Sequence, residues 1–159
     1  MEHEYYMSEA LKEAEEAGKR GDLPVGAVIV HKHTIVARGS NKIETMDSRV
    51  AHAEMIAIQS CAAYLKKHQE ECILYTTVEP CIMCLSTIVM ANIRHVVFAT
   101  KDHYMAMDRF IASNPYIEKR IHTYESGILE DKSQHLLKTY SPYMAEVVIN
   151  GRKPALYKE

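Results

Sequence analysis

The sequence predicts an α/β fold, a sheet with helices on both faces, and three observations predict it. Runs rich in β-branched residues alternate with runs whose apolar residues recur at helical spacing. Two strand–helix–strand passages follow one another between residues 35 and 100, which favours parallel neighbours in a covered sheet. No internal repeat, low-complexity tract or Pro/Gly/Ser-rich linker divides the 159 residues. Residues 1–159 therefore read as one domain, long enough to bury roughly 70% of the unfolded chain's surface.

The elements follow in order. Residues 4–19 read as a helix, because Met7, Ala10, Leu11, Ala14 and Ala17 recur at helical spacing and Gly18 and Gly21 end the run. VGAVIVH (25–31) and IVARGSN (35–41) flank a short polar turn and read as a hairpin. AHAEMIAIQSCAAYLKK (51–67) reads as a helix and CILYTT (72–77) as a strand. PCIMCLSTIVMAN (80–92) reads as a helix with Pro80 in its first turn, where a missing N–H costs nothing. HVVFAT (95–100) is another strand. Beyond residue 101 the pattern weakens. Residues 102–118 read as loop and short helix, and RIHTYES (120–126) as a short last strand. GILEDKSQHLLKTY (127–140) closes with a helix on Leu129, Leu136, Leu137 and Tyr140, and residues 141–159 carry no decisive pattern.

Composition excludes several classes. The hydrophobic fraction of 47% and charged fraction of 25% are those of an ordinary soluble globule. A net charge of -2 argues against a strongly basic nucleic-acid binder, with room left for a local basic patch. No run approaches the roughly 18 apolar residues of a membrane span. The acidic start MEHEYYMSEALKEAEEAGKR is not a secretion signal. Four cysteines, two of them as Cys-x-x-Cys, suit a reduced compartment rather than a disulfide framework, so a cytoplasmic location is expected.

The chemistry lies in AHAEM and EPCIMC. Cys81 and Cys84 are three apart, so their sulfurs share one helix face, near a helix start that favours thiolate. His52 stands near the start of the other helix, so two helix starts can converge on one ion. One histidine and two cysteines suit zinc, one ion per chain. A structural zinc needs a fourth protein ligand, whereas a catalytic zinc leaves that corner to water and lowers the water's pKa to about 7. Glu54 stands beside the ligand histidine without being needed as a ligand, and can carry the water's proton.

At these residues the chain resembles the cytidine and deoxycytidylate deaminase superfamily, whose signature is H-x-E…P-C-x-x-C. Within it, the likeness is closest to the bacterial tRNA adenosine deaminases and the guanine and cytosine deaminases. The resemblance runs through PVGAVIV, GSN, AHAEM, LYTTVEPCIMC and RHVVFATKD, roughly residues 5 to 102, with a faint return at YESGILED. It implies a cytidine deaminase-like, three-layer α/β/α sandwich with a five-stranded mixed sheet, and a homodimer whose partner helps wall the site. It implies a hydrolytic deaminase that replaces a ring amine by a carbonyl and releases ammonia. By the same resemblance, Asn41 holds the base or its sugar, the Ala53 amide holds a substrate carbonyl or ring nitrogen, Asp102 lies near the sugar, and Leu23 lines the pocket.

The substrate is harder to read. Many of the tRNA enzymes have a glycine-rich turn after the aspartate and a basic final helix. Here KDHYMAMDRFIASNPY replaces the turn, and SPYMAEVVINGRKPALYKE is sparsely basic. Those departures favour a free nucleobase or nucleoside, with tRNA as the alternative; LPVGAVIV pulls toward the tRNA enzymes. Purine and pyrimidine are not separated. His103, Tyr104, Met105, Met107, Phe110 and Tyr116 could cap a pocket or form the underside of a loop or dimer contact. A structural zinc module and an inactive partner subunit are the competing classes. Cys61 and Cys72 read as buried hydrophobes, His31 and His33 as solvent-exposed, His68 as part of a solvated charge run, and His95 as packed.

Overall fold

The computed structural model describes residues 2–154. The first helix, α1 (Glu2–Arg20), leads into a hairpin of β1 (Gly26–His31) and β2 (Thr34–Ser40). A loop then delivers α2 (Ala53–Ser60) and α3 (Ala62–His68), followed by β3 (Cys72–Val78), α4 (Ile82–Met90) and β4 (His95–Thr100). The chain continues through α5 (Met107–Ser113), α6 (Pro115–Arg120), β5 (Thr123–Glu125), α7 (Glu130–Tyr140) and α8 (Pro142–Asn150). The strands form one sheet in the order β2-β1-β3-β4-β5. β1 is antiparallel to β2 and to β3, whereas β3–β4 and β4–β5 are parallel. This is the five-stranded mixed sheet of the expected fold.

Alternation along the strands separates two cores. Ala27, Ile29, Leu74, Val96 and Phe98 pack with Ala53, Ala57, Leu65 and Ile88 of α2, α3 and α4. Val28, Val30, Tyr75, Val97 and Ala99 pack with Tyr6, Met7, Ala10 and Leu11 of α1. Helices therefore cover both faces. α7 touches each core, Leu136 in one and Leu137 in the other, and α8 adds Ala145 and Val148. A third cluster joins the outer side of α4 to α5 and α6 through Leu85, Val89, Met107 and Ile117.

The structure corrects several sequence expectations. The helix expected over 51–67 starts at Ala53 and breaks at Cys61 (φ -127°, ψ 25°). The Cys61 thiol donates to the Ala57 carbonyl, and its N–H turns to Ile58 instead, which tightens the turn. The helix expected from Pro80 begins at Ile82, because Cys81 is extended and caps it, accepting from the Cys84 N–H. Of the two parallel passages, only β3–β4 pairs directly; β1 lies between β2 and β3. His31 is buried rather than exposed. It ends a strand whose every residue is covered, its ring stacks on His68 at 4.7 Å, and its Nδ1 meets the Tyr64 hydroxyl. The ambiguous tail forms α8, capped by Ser141, started by Pro142 and closed by Gly151 at φ 65°; residues 155–159 lie outside the described residues.

Candidate metal and active site

Two helix starts meet behind the end of β3. His52 is the N-cap of α2 and Cys81 the N-cap of α4, with Cys84 inside the first turn. The ligand atoms of His52, Cys81 and Cys84 all lie within 4.8 Å of one another, and no other metal-holding group of this kind occurs among the described residues. His52 Nδ1 is 3.5 Å from the Cys81 sulfur and 3.4 Å from that of Cys84. Tetrahedral zinc, with its usual bond lengths to sulfur and nitrogen, spaces such atoms by roughly 3.6 Å. The donor set and its spacing therefore fit zinc.

The electrostatics agree with ligation. Donation from the Cys84 thiol, aided by His52 and the Cys84 N–H, holds Cys81 at about 4 against its burial. The Cys81 sulfur and burial push Cys84 up. The pair thus favours thiolate at Cys81, and metal binding takes up both sulfurs as thiolates by displacing the remaining proton.

Glu54 is 3% exposed and sits in the first turn of α2. Its Oε1 accepts from Thr76 Oγ1 at 3.0 Å and its Oε2 from Cys84 Sγ at 3.4 Å. Burial raises its pKa. A buried carboxyl beside a metal group, with no lysine or arginine paired to it among the described residues, can take up and return a proton.

A pocket of ≈ 120 Å³ opens over this centre, lined in part by Leu23, Asn41, His52, Glu54, Cys81 and Asp102. Five expected positions thus share its wall with the ligand histidine. Cys84 and Ala53 lie fully buried behind it, Ala53 opening α2 where the first N–H groups have no helical partner. Asn41 Oδ1 accepts from the Ile43 N–H at 3.1 Å, so its NH2 is the half left for a ligand. Asp102 Oδ1 accepts from the N–H groups of Tyr104 (2.7 Å) and Met105 (2.9 Å), which shapes the next turn. Leu23 also packs against the core.

Sequence reasoning missed Glu79, Met144 and Asp22. Glu79 lines the pocket and is buried. It accepts from the Asp102 N–H at 3.0 Å and from the Tyr124 hydroxyl at 2.6 Å. Its position beside Pro80-Cys81 was a visible signal; its partner Tyr124 was not. Met105 and Met144 complete the apolar wall. Of the aromatic and methionine-rich segment, Met105 faces the pocket, Met107 and Phe110 pack beneath the loop, and Tyr104 and Tyr116 stay exposed. Asp22 anchors the loop after β2, accepting from the Glu44 and Thr45 N–H groups, the Thr45 hydroxyl and Arg20.

Residues 1–100 match the cytidine and deoxycytidylate deaminase zinc-binding region. The chain belongs to this family. A tRNA-specific adenosine deaminase of Aquifex aeolicus (strain VF5) is 35% identical over 152 residues, which is 93% of this chain and 100% of that protein. Among solved structures, one described by the words "A-to-I Editing by tRNA:A34 Deaminases at the Wobble Position of Transfer RNA" is 33% identical, with a TM-score of 0.75 over 84% of this chain and 99% of that one. The guanine deaminase of Bacillus subtilis is 39% identical, with a TM-score of 0.57 over 62% of this chain and 64% of that one. As a member of this family, the chain is a zinc-binding deaminase, a hydrolase of carbon–nitrogen bonds. The structural-zinc class gains no support: no fourth residue joins the ligand group among the described residues. The preference for a free base or nucleoside is not favoured either, since the relatives fit the tRNA alternative better.

Proposed function

We propose that this deaminase converts adenosine to inosine in the anticodon loop of a tRNA. The observation that carries the reading is similarity to a tRNA-specific adenosine deaminase over nearly the whole of both chains. The size of the pocket supports it. At ≈ 120 Å³, it is well below the roughly 300–1,000 Å³ of a drug-sized ligand site. One flat ring system enters, and the rest of the substrate stays outside, as when a base is flipped from a loop.

His52, Cys81 and Cys84 would hold the zinc. When bound, zinc supplies a water made acidic enough to be a nucleophile at neutral pH. Glu54 accepts a proton from the attacking water and delivers it to the ring nitrogen beside the reacting carbon. It then takes the proton of the new hydroxyl and passes it to the amine, which leaves as ammonia while the carbonyl forms. Thr76 keeps that carboxylate in one orientation. The Ala53 N–H and the Asn41 NH2 hold the polar edge of the base or its sugar, and Asp102 stands at the sugar end. Leu23, Met105 and Met144 exclude water around the ring, which strengthens these polar contacts. Homodimerisation belongs to the same proposal. Met46, Val50 and Ile82 are exposed on the segments that carry Asn41, His52 and Cys81, so a second copy would cover apolar surface beside the pocket. So does a cytoplasmic location, which suits four free cysteines.

The test incubates the zinc-loaded protein with an anticodon hairpin carrying adenosine at the first anticodon position, and separately with free bases and nucleosides. Inosine in the hairpin, without ammonia from the small molecules, is expected. Turnover confined to guanine, cytosine or a nucleoside would reverse the assignment. Light scattering at working concentration should give the mass of two chains.

A further inference from the structure

β5 is three residues long and stands at the edge of the sheet, yet it reaches the network behind the pocket. Its middle residue, Tyr124, lies opposite Val96 of β4, and its ring packs on Phe98 with centroids 4.8 Å apart. The Tyr124 hydroxyl donates to Glu79 Oε2 at 2.6 Å, the short end of the range for such bonds. Glu79 Oε1 accepts from the Asp102 N–H at 3.0 Å. One buried carboxyl at the end of β3 thus ties down the turn after β4, 23 residues on, and the edge strand, 45 residues on. Lys101, the residue before Asp102, pairs with Asp108 at 2.6 Å. Among the described residues, Tyr124 is therefore the side chain that donates to Glu79. Packing alone does not lock the phenol, because it also borders a cavity of ≈ 310 Å³ against α5 and α6. The strand beneath it is held. The N–H groups of His122 and Thr123 donate to the Arg94 carbonyl at 2.8 and 3.2 Å, and Thr123 Oγ1 is 2.8 Å from His95 Nδ1.

We propose that Tyr124 is a positioning residue for the deamination. It holds the Glu79 carboxyl, which holds the Asp102 N–H and so sets where the Asp102 side chain stands in the pocket wall. This rests on the tRNA reading above, in which Asp102 stands at the sugar end of the substrate. Asp102 Oδ1 is taken by the N–H groups of Tyr104 and Met105, so Oδ2 is the half left for a substrate donor. Such a contact works only when its group is held to within about 0.5 Å. A carboxyl with a partner on each oxygen has one orientation. Without the phenol hydroxyl, Glu79 would bury an unpaired oxygen, a costly state that the side chain relieves by turning. The Asp102 turn then loses its fixed acceptor.

The experiment is a double-mutant cycle in kcat/KM on an anticodon hairpin RNA, with zinc-loaded wild type, Tyr124→Phe, Asp102→Asn and the double variant. Tyr124→Phe keeps the ring and removes the bond to Glu79. Asp102→Asn keeps an oxygen for the Tyr104 and Met105 N–H groups and removes the second acceptor. Alone, Tyr124→Phe should lower kcat/KM roughly 10- to 100-fold, with zinc content unchanged. In the Asp102→Asn background it should lower kcat/KM by less than about 2-fold, because the contact it serves is already gone. A tyrosine that only supports the fold would give the same factor in both backgrounds. That result, or wild-type kinetics in Tyr124→Phe, would overturn the proposal while the active wild type keeps the tRNA reading. A wild type that uses only a free base would overturn the tRNA reading, and the same cycle on that base would still decide the role of Tyr124.

Discussion

A carboxyl group that carries protons has to stay dry and unpaired with a fixed side-chain cation, and among the described residues Glu54 meets both conditions. The Thr76 hydroxyl donates to it, and among the described residues it forms no salt bridge. Glu54→Gln should keep one zinc per chain by metal analysis yet lose turnover by roughly 10²–10⁴-fold, the usual contribution of general acid–base catalysis. Asp22 shows the opposite design. Burial pushes its pKa up, but donation from Thr45, Arg20 and Glu44 outweighs it and holds the carboxyl at about 2. An unfolded aspartate titrates near 3.9, so the carboxylate's stabilising effect is complete above about pH 4 and fades as the pH falls toward 2. Asp22→Asn should cost about 2 kcal/mol at neutral pH. Its stability should also fall less steeply between pH 4 and pH 2, as read by urea unfolding at several pH values. An unchanged acid limb would show that Asp22 does not carry that dependence. His52, Cys81, Cys84 and Glu54 were legible in the sequence because ligand type and helical spacing are local. Asp22 was not, since its partners Glu44 and Thr45 lie across the start of the hairpin.

At the scale of elements, the site depends on how closely α2 approaches the sheet. A Cβ at Gly39 would stand 2.1 Å from the Ala53 carbonyl oxygen and 2.8 Å from the Ala57 nitrogen. β2 therefore packs directly on the helix whose cap is His52. Gly39→Ala must push that helix start away by an ångström or more. We expect turnover to fall roughly 10²-fold, the cost of such a misplacement, and zinc to be lost earlier in a chelator titration. Full activity with unaltered zinc retention would show that the two elements separate without disturbing the ligands. The strands and most helices were legible from periodicity. The break at Cys61 was not, because periodicity cannot show a thiol competing for a helix carbonyl. α8 could have been read from Ser141, Pro142 and Gly151, which are start and stop signals in the expected places.

Across the molecule, zinc ties together two helix starts that the sheet alone only brings near. Removing it with a chelator should abolish turnover and lower Tm, while far-UV circular dichroism below the transition stays native. Both cores lie on faces of the sheet and include none of the ligands except through Ala53 and its neighbours. Re-adding zinc should restore Tm in a concentration-dependent manner, as binding to the folded state alone requires. A Tm indifferent to zinc would mean that the ion holds nothing in place.

By itself, the sequence determined the metal chemistry and the mixed α/β character, through spacing within single elements and the residue types at their ends. Only the tertiary structure decided what surrounds the metal. β1 lies between β2 and β3, which buries His31. Tyr124 reaches back to Glu79, and α8 brings Met144 into the pocket wall. The physical reason is range. A helix cap or a Cys-x-x-Cys acts over one turn and is written in adjacent residues. A pocket wall is assembled by packing between segments tens of residues apart, and periodicity says which face is apolar without saying what it will meet.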